Sequence, residues 1–168
     1  MNTTDNDVLR AIRTRRVVRN MTSDPVEPHQ VELVVDAARY APNAGNRRLQ
    51  PVIAVTDPKT VHLLRMVAPG MIARPTAAAV ICIDHGRATD FGFAPDAPGL
   101  YIDVGTTAAT MLLAAHAVGL ASCPVTSFSK VAVGRILGLA DDVTAVMIIC
   151  LGHAAAVQPP AFPAPREV

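Results

Sequence analysis

The chain has 168 residues, of which 51% are hydrophobic and 17% charged, and its net charge is +1 at pH 7. This length and apolar content are typical of one domain with a sizeable core, which we expect to span residues 1–168, and they argue against a disordered chain. The near-neutral charge and the absence of tryptophan argue against a nucleic-acid partner, because such surfaces need basic patches and stacking aromatic residues.

The first part of the chain predicts two helices. The first covers about residues 7–14 and starts with Thr4 as a capping-box-like residue. The second opens after the Ser, Asp and Pro residues of 23–28 and ends before Pro42, because a residue that precedes proline is pushed out of the helical region. Its apolar residues recur with the spacing of one helix face: Val31, Val34, Val35 and Ala38.

The rest of the chain alternates apolar, strand-like runs with helical segments. Strands are predicted at residues 52–56, 77–84 and 145–151. Helices are predicted at residues 57–67, 103–118 and 129–137. Residues 85–99 are rich in Gly, Pro and Asp and predict a mobile loop or lid. Residues 120–125 lead towards the core, and residues 158–165 form an extended, proline-rich tail. Such alternation predicts an α/β or α+β domain.

One segment has the length of a membrane span. Residues 104–122 contain no Asp, Glu, Lys or Arg, and a segment of about this length crosses a bilayer. It also contains several glycines, threonines and a histidine, and it has neither an aromatic belt nor a flanking basic bias. We therefore predict a helix that is buried in a domain or a dimer, and no membrane partner.

The three cysteines, Cys82, Cys123 and Cys150, are widely spaced. No CxxC or Cys/His ligand pair is present, so we expect no metal site. An odd number of thiols favours a reducing cytoplasm, and Cys82 and Cys150 lie in apolar runs that are typical of buried free thiols. A cysteine hydrolase built on Cys123 with His85 or His116 is disfavoured, because no oxyanion-type motif surrounds the thiol.

The arginines are concentrated near the start of the chain, where eight of the thirteen lie in the first 48 residues. Three fall within residues 15–19, and two more, at 47 and 48, follow the turn-like stretch 41–46. A guanidinium group forms two parallel hydrogen bonds with a phosphate and stays protonated. Two interpretations are open at this point, an anion-binding site and a solvated helix face.

Four segments, in this order along the chain, resemble the nitroreductase family of FMN-dependent oxidoreductases. Residues 15–19 are similar to the family's RRSxR phosphate motif, and residues 41–46 to its APSxxN turn. Residues 112–125 are similar to its LAAxxxGLGSCPI segment, and residues 151–153 to its closing LGY/LGH. The resemblance covers roughly residues 8–166. No Walker motif or GxGxxG is present, which disfavours a Rossmann nucleotide site.

The resemblance implies an α+β fold, a nitroreductase-like α-β-α sandwich with a central, mostly antiparallel sheet. The long helix at residues 103–118 is then expected at a homodimer interface, with two FMN sites between the subunits. A dimer also explains how so apolar a helix exists in water, because the partner buries its second face.

The resemblance also implies roles for single residues. Arg15 and Arg19 would clamp the FMN phosphate, and Arg16 would reach the ribityl chain or the phosphate. Asn46 would hydrogen-bond the pyrimidine edge of the flavin, whose donors and acceptors an amide can match. Arg48 stands where the family has glutamine, and its charge would stabilise the anionic reduced flavin.

The other cofactor-binding residues that the resemblance implies are Val17, Asn43, Pro124, Val125, Thr126, Ser127, Gly152 and Arg166. Residues 124–127 would lie along the flavin from the partner subunit, and Arg166 would complete the phosphate site. The chain departs from the family pattern at several positions. Val17 and Asn43 replace serines, and Leu49-Gln50 replaces Pro-Trp.

The implied activity begins with a hydride transfer from NADH or NADPH to N5 of FMN. A small electron-poor acceptor, a nitroaromatic or a quinone, then enters the same site, so the kinetics are ping-pong. The protein supplies orientation and electrostatics, and no catalytic acid or base is assigned. Two alternatives stay open: a flavin-dependent oxidase or dehydrogenase of a peptide-like or heterocyclic substrate, and a flavin-binding or sensing protein with weak catalysis.

Overall fold

A four-stranded antiparallel sheet lies at the centre of the computed structural model, which describes residues 6–156. The strands are β1 (Val52–Val55), β2 (Ala77–Asp84), β3 (Ala121–Val125) and β4 (Val143–Gly152). Their order across the sheet is β1-β2-β4-β3, so β1 and β3 are the edge strands. Each neighbouring pair is antiparallel.

Helices cover both faces of this sheet. They are α1 (Asp7–Thr14), α2 (Pro28–Ala37), α3 (Pro58–Met66), α4 (His85–Asp90), α5 (Pro98–Ala117) and α6 (Lys130–Leu137). One apolar cluster joins α2 and α5 to one face of β2, and a second joins α3 and α6 to the other face. Because both faces of β2 are buried, its residues read as one continuous apolar run. The predicted α+β sandwich is confirmed.

Helices α1, α3, α4 and α6 begin where a local side chain accepts a free backbone N–H group. Asn6 accepts from Val8 N at the start of α1, so the prediction of Thr4 as the capping residue is wrong; Thr4 itself lies outside the described residues. Asp57 and Ser129 cap α3 and α6 in the same way. These caps help to fix the residue at which each helix begins.

The prediction of a mobile loop over residues 85–99 is wrong in part. Residues 85–90 form α4, because the side chain of Asp84 accepts from Arg87 N at 2.8 Å and caps the helix. Helix α5 starts at Pro98, a favoured first helical residue, five positions before the predicted start. Its early turns are held by Leu100, which is fully buried in the core.

The remaining elements agree with the predicted ones in kind and differ in extent. Residues 121–125 form the edge strand β3, which hydrogen-bonds to β4, and β4 starts two residues earlier than predicted. All three cysteines are buried and free, which confirms the expectation for Cys82 and Cys150. Within residues 6–156, no helix combines the length and the apolar character that crossing a membrane requires.

Candidate functional site

The arginine run (residues 15–19) begins where α1 ends. Arg15 is the C-cap of α1 and is half-buried. Its Nη1 atom is buried and has no hydrogen-bond partner among residues 6–156. A buried guanidinium nitrogen without a partner costs free energy, because it has lost its hydration and gained nothing in exchange. The geometry therefore suits an anionic ligand that supplies the acceptor.

The other residues of the run differ in the contacts that they make. Arg16 donates from Nη1 to the carbonyl oxygens of Arg13 at 2.7 Å and Arg15 at 3.0 Å, so it satisfies the carbonyl end of α1. Val17 is exposed and offers no donor. Arg19 is exposed beside Cys123: burial raises the pKa of that thiol, and the nearby guanidinium partly counteracts the increase. Arg15 and Arg19 remain the two arginines available to an anion.

Backbone hydrogen bonds hold the arginine run against the ends of β3 and β4. Val18 N donates to Ser122 O at 3.0 Å, and Thr22 N donates to His153 O at 2.9 Å. At Gly152 an added Cβ would lie 2.9 Å from the Met21 sulfur and 3.2 Å from Met21 Cβ, so a larger residue here would displace Met21. The structure thus gives Gly152 a packing role that positions the run.

The anchored turn (residues 41–48) is a second candidate element. Asn43 accepts from Arg48 N at 3.0 Å through Oδ1 and donates to Ala41 O at 3.1 Å through Nδ2. Gly45, Asn46 and Arg48 have left-handed backbones, with φ of 59°, 55° and 51°. Two non-glycine residues in this region within one short turn store backbone strain, which is concentrated at functional sites.

Helix α5 holds one side of the anchored turn. The buried carboxylate of Asp103 accepts from Ala44 N at 3.0 Å, and the Thr106 hydroxyl donates to Pro42 O at 2.8 Å. A buried side chain that binds backbone groups fixes the turn more firmly than surface contacts would.

Helix α4 and the residue after it hold the other side. The guanidinium of Arg87 donates to Arg47 O at 3.3 Å and to Arg48 O at 3.4 Å. The Arg47 guanidinium lies 4.4 Å from the centre of the Phe91 ring, a cation–π contact. Asn46 and Arg48 are exposed, and the Arg48 side chain makes no hydrogen bond or ion pair within the described part of the chain.

The segment 124–127 comprises the last two residues of β3 and the two residues after it. Val125 is buried, whereas Thr126 and Ser127 are exposed. Gly70 N donates to Ser127 O at 3.0 Å, and an added Cβ on Gly70 would lie 2.8 Å from Ser127 Cβ. Since Arg19 contacts Cys123, this segment and the run are neighbours within one chain.

The run and the turn lie at opposite ends of α5. Thr14 Oγ1 is 3.0 Å from Nε2 of His116, near the end of α5, whereas the turn binds Asp103 and Thr106 near its start. Ten to thirteen helical residues correspond to about 15–20 Å. One chain therefore does not bring Arg15 and Asn46 together. The predicted site residue Arg166 lies outside the described residues.

A feature that the sequence did not predict is a cavity of about 480 Å³ beside the edge strand β1, called the edge cavity below. It lies between α2, β1 and the anchored turn. Its lining residues are Glu32, Val35, Asp36, Ala38, Arg39, Asn43, Arg48, Gln50, Pro51, Val52, Ala54 and Thr107. The spacing of Gln50, Val52 and Ala54, every second residue leading into and along β1, is the one sequence signal that relates to it.

Comparisons with known proteins agree with this architecture. A protein of Methanothermobacter thermautotrophicus, provisionally named NADH dehydrogenase/NAD(P)H nitroreductase, is 29% identical over 117 residues, 68% of this chain. An FMN reductase [NAD(P)H] of Bacillus subtilis is 26% identical over 135 residues, 71% of this chain. These alignments cover 58% and 54% of the two relatives, so the chain spans a little over half of their length.

The solved structures include a nitroreductase family protein from Clostridium difficile. It is 26% identical, superposes with a TM-score of 0.77, and the match covers 90% of this chain and 86% of that one. The sequence model of the nitroreductase family matches residues 12–76 and 71–153. These matches span the arginine run, the anchored turn and β4, and they confirm the resemblance: the chain belongs to the nitroreductase family.

Proposed function

We propose that this chain is an FMN-dependent oxidoreductase that uses NADH or NADPH and forms one flavin-binding domain. The observation that carries the proposal is the buried, unpartnered Nη1 of Arg15, beside the exposed guanidinium of Arg19. Two guanidinium groups held at a strand end match the dianionic phosphate of FMN. Membership of the nitroreductase family and the similarity to an FMN reductase support the same cofactor.

The residues of the chain fit FMN in what they can bind and orient. Bound FMN would supply the redox chemistry by accepting a hydride at N5 from NAD(P)H and passing two electrons to an acceptor. Arg15 and Arg19 bind the phosphate, while Arg16 stabilises the end of α1 that presents them. Asn46 and Arg48 offer an amide and a positive charge to the flavin ring, where a fixed charge favours the anionic reduced state.

A homodimer would bring these two parts together. The outward face of α5 carries exposed Ile102, Gly105 and Ala109, and no heavy atom lies within 4 Å of a Cβ built on Gly105. Two copies of α5 that pack antiparallel about a two-fold axis place the start of one helix beside the end of the other. The anchored turn of one subunit then lies next to the arginine run and residues 124–127 of its partner.

We propose a small electron-poor acceptor, a nitroaromatic or a quinone, as the oxidising substrate. The site offers positive charge and hydrogen-bond donors, and we assign no general acid or base to it. Acceptors that take a hydride or electrons directly suit such a site, because they need orientation more than acid–base catalysis.

The double variant Arg15→Ala/Arg19→Ala tests the assignment. We expect a folded dimer that no longer distinguishes FMN from riboflavin, because the phosphate has lost both guanidinium partners. Fluorescence titration gives the two dissociation constants, and circular dichroism checks the fold. Arg13→Ala is the matched control, because Arg13 is exposed on the same helix and contributes only its carbonyl oxygen to the run.

The bound flavin of the wild-type protein should also lose its visible absorbance when NADH or NADPH is added under anaerobic conditions. The absorbance should return when a quinone is added. Two results would contradict the proposal: full FMN affinity in the double variant, or a bound flavin that neither nicotinamide reduces. The first outcome rejects the phosphate assignment, and the second rejects the oxidoreductase activity.

A further inference from the structure

The edge cavity has the dimensions of a small-molecule site. Its volume of about 480 Å³ lies within the range of about 300–1,000 Å³ that is usual for ligand pockets. One wall is helix α2, and the opposite wall is the edge strand β1. The space between these two walls, called the slot below, accommodates a small ring.

The apolar part of the cavity lies along β1 and α2. Val52 and Ala54 point to the same side of β1, and Val35 faces them from α2. Val35 and Val52 are half-buried and Ala54 is exposed, so an apolar ring in the slot would remove this surface from water. Burial of an aromatic ring against such side chains supplies most of the affinity of a small ligand.

The charged groups of the cavity are not equivalent. Asp36 and Arg39 lie 3.4 Å apart in an exposed ion pair, so their charges largely cancel. Arg48 has no ion pair or hydrogen bond from its side chain within residues 6–156. Glu32 lies on α2 four residues before Asp36, about 6 Å further from the turn along the helix axis. The turn end of the cavity is therefore positive.

The position of Arg48 is set by its backbone. Its N–H donates to the Asn43 side chain at 3.0 Å, its carbonyl oxygen accepts from Arg87 at 3.4 Å, and its φ is 51°. This fixed backbone sets the direction of the Cα–Cβ bond of Arg48 and places its side chain in the lining of the cavity. The amides of Asn43 and Gln50 line the same end and add hydrogen-bonding groups.

We infer that the edge cavity binds a small carboxylic acid that carries an apolar ring. Its carboxylate contacts the Arg48 guanidinium, and its ring lies between Val35 and the Val52–Ala54 face of β1. Arg48 thereby selects acidic ligands over neutral ones of the same shape. The binding site itself does not rest on the proposed function.

The probes are 4-nitrobenzoate and its neutral analogue 4-nitrobenzamide, titrated by calorimetry into the full-length protein with and without FMN. We expect the acid to bind about tenfold more tightly than the amide, because a charged hydrogen bond is lost with the amide. Arg48→Gln should remove this difference. Arg47→Gln is the matched control, because Arg47 is the neighbouring arginine and does not line the cavity.

A second pair of variants tests the slot itself. Ala54→Leu should weaken both probes about tenfold by filling the cavity, with unchanged FMN content. Thr56→Leu, an exposed position just beyond the same strand and outside the cavity lining, should leave both affinities as in the wild type. The site is rejected if acid and amide bind equally, if both arginine variants lose affinity alike, or if Ala54→Leu has no effect.

The outcomes separate this site from the proposed function. Selective acid binding without reduction of the flavin by NAD(P)H leaves the site standing and rejects the oxidoreductase activity. Reduction of the flavin combined with unselective binding rejects the site and leaves the oxidoreductase activity standing.

Discussion

Arg15 and Arg16 are sequence neighbours with different tasks. The Arg16 guanidinium donates to two carbonyl oxygens at the end of α1, whereas Nη1 of Arg15 is buried without a partner in the described part of the chain. Arg15 is the C-cap of α1, and its extended ψ of 134° turns the side chains of Arg15 and Arg16 in different directions. The residue type in a motif therefore predicts the kind of chemistry, and the local geometry decides which of two neighbouring arginines performs it.

Buried thiols make the stability of this protein sensitive to alkaline pH. Burial raises the pKa of Cys82 to about 11 and that of Cys150 to about 12, from 9.0 for an exposed thiol. Between pH 9 and 12 the unfolded chain releases thiol protons that the folded chain retains. The free energy of unfolding therefore falls as pH rises through this window.

The double variant Cys82→Ala/Cys150→Ala should be less stable than the wild type at pH 8, because it leaves small cavities in the core. Its free energy of unfolding should fall less steeply between pH 8 and 10.5, since its unfolded state has two fewer thiols to ionise. Urea denaturation at several pH values measures both quantities. If the free energy of unfolding fell equally steeply with pH in the two proteins, these thiols would not contribute to its pH dependence.

At the scale of elements, the anchored turn depends on one buried carboxylate. Asp103 is 6% exposed and accepts from Ala44 N at 3.0 Å. Asp103→Ala leaves this N–H without a partner, and we expect a loss of about 1–3 kcal/mol in the free energy of unfolding. We also expect weaker FMN binding, because Asn46 and Arg48 lose their fixed positions. Urea denaturation and FMN titration measure the two effects.

Two further variants give this prediction its controls. Asp103→Asn keeps an oxygen acceptor at the same place and should retain most of the stability. Asp36→Ala removes an exposed carboxylate whose ion pair with Arg39 is worth about 0–1 kcal/mol at most. If Asp103→Ala were as stable as Asp36→Ala, the turn would be held by other contacts.

Much of this element arrangement could be predicted from local sequence. The helical stripe of α2 and the apolar run of β2 each carry their own periodicity, and the structure confirms both. Helix α4 was not predicted, because its cap at Asp84 lies at the end of a strand and its residues resemble a loop in composition. A local sequence pattern identifies an element only when the residues of that element supply the interactions that stabilise it.

The candidate site was predictable in its parts and not in its layout. The arginine run and the anchored turn follow from motifs, but their separation along α5 depends on the contact of Thr14 with His116, 102 residues apart in sequence. The edge cavity forms between α2 and β1, and its positive end comes from Arg48. Such nonlocal contacts leave no pattern in a short window of sequence.

For the whole molecule, α5 is the element that connects the two halves of the site. Its inward face is buried against the sheet, whereas Ile102, Gly105 and Ala109 on the outward face are exposed. A helix with so few polar residues on its outward face is expected to be covered by a partner. The proposed two-fold contact covers this face and also completes each flavin site, so assembly and cofactor binding are coupled.

Ala109→Glu tests this coupling at the centre of the exposed face. Two carboxylates would then meet near the two-fold axis without partners, and burying them costs several kcal/mol. We expect a folded monomer in sedimentation velocity, and FMN affinity reduced at least tenfold because each arginine run has lost the partner's turn. Val131→Glu is the control, since Val131 is also exposed and lies on α6, on the other side of the sheet. Two results would show that one chain builds the whole site. The first is a wild-type protein that is a monomer with full FMN affinity, and the second is an Ala109→Glu variant that loses the dimer and keeps its flavin.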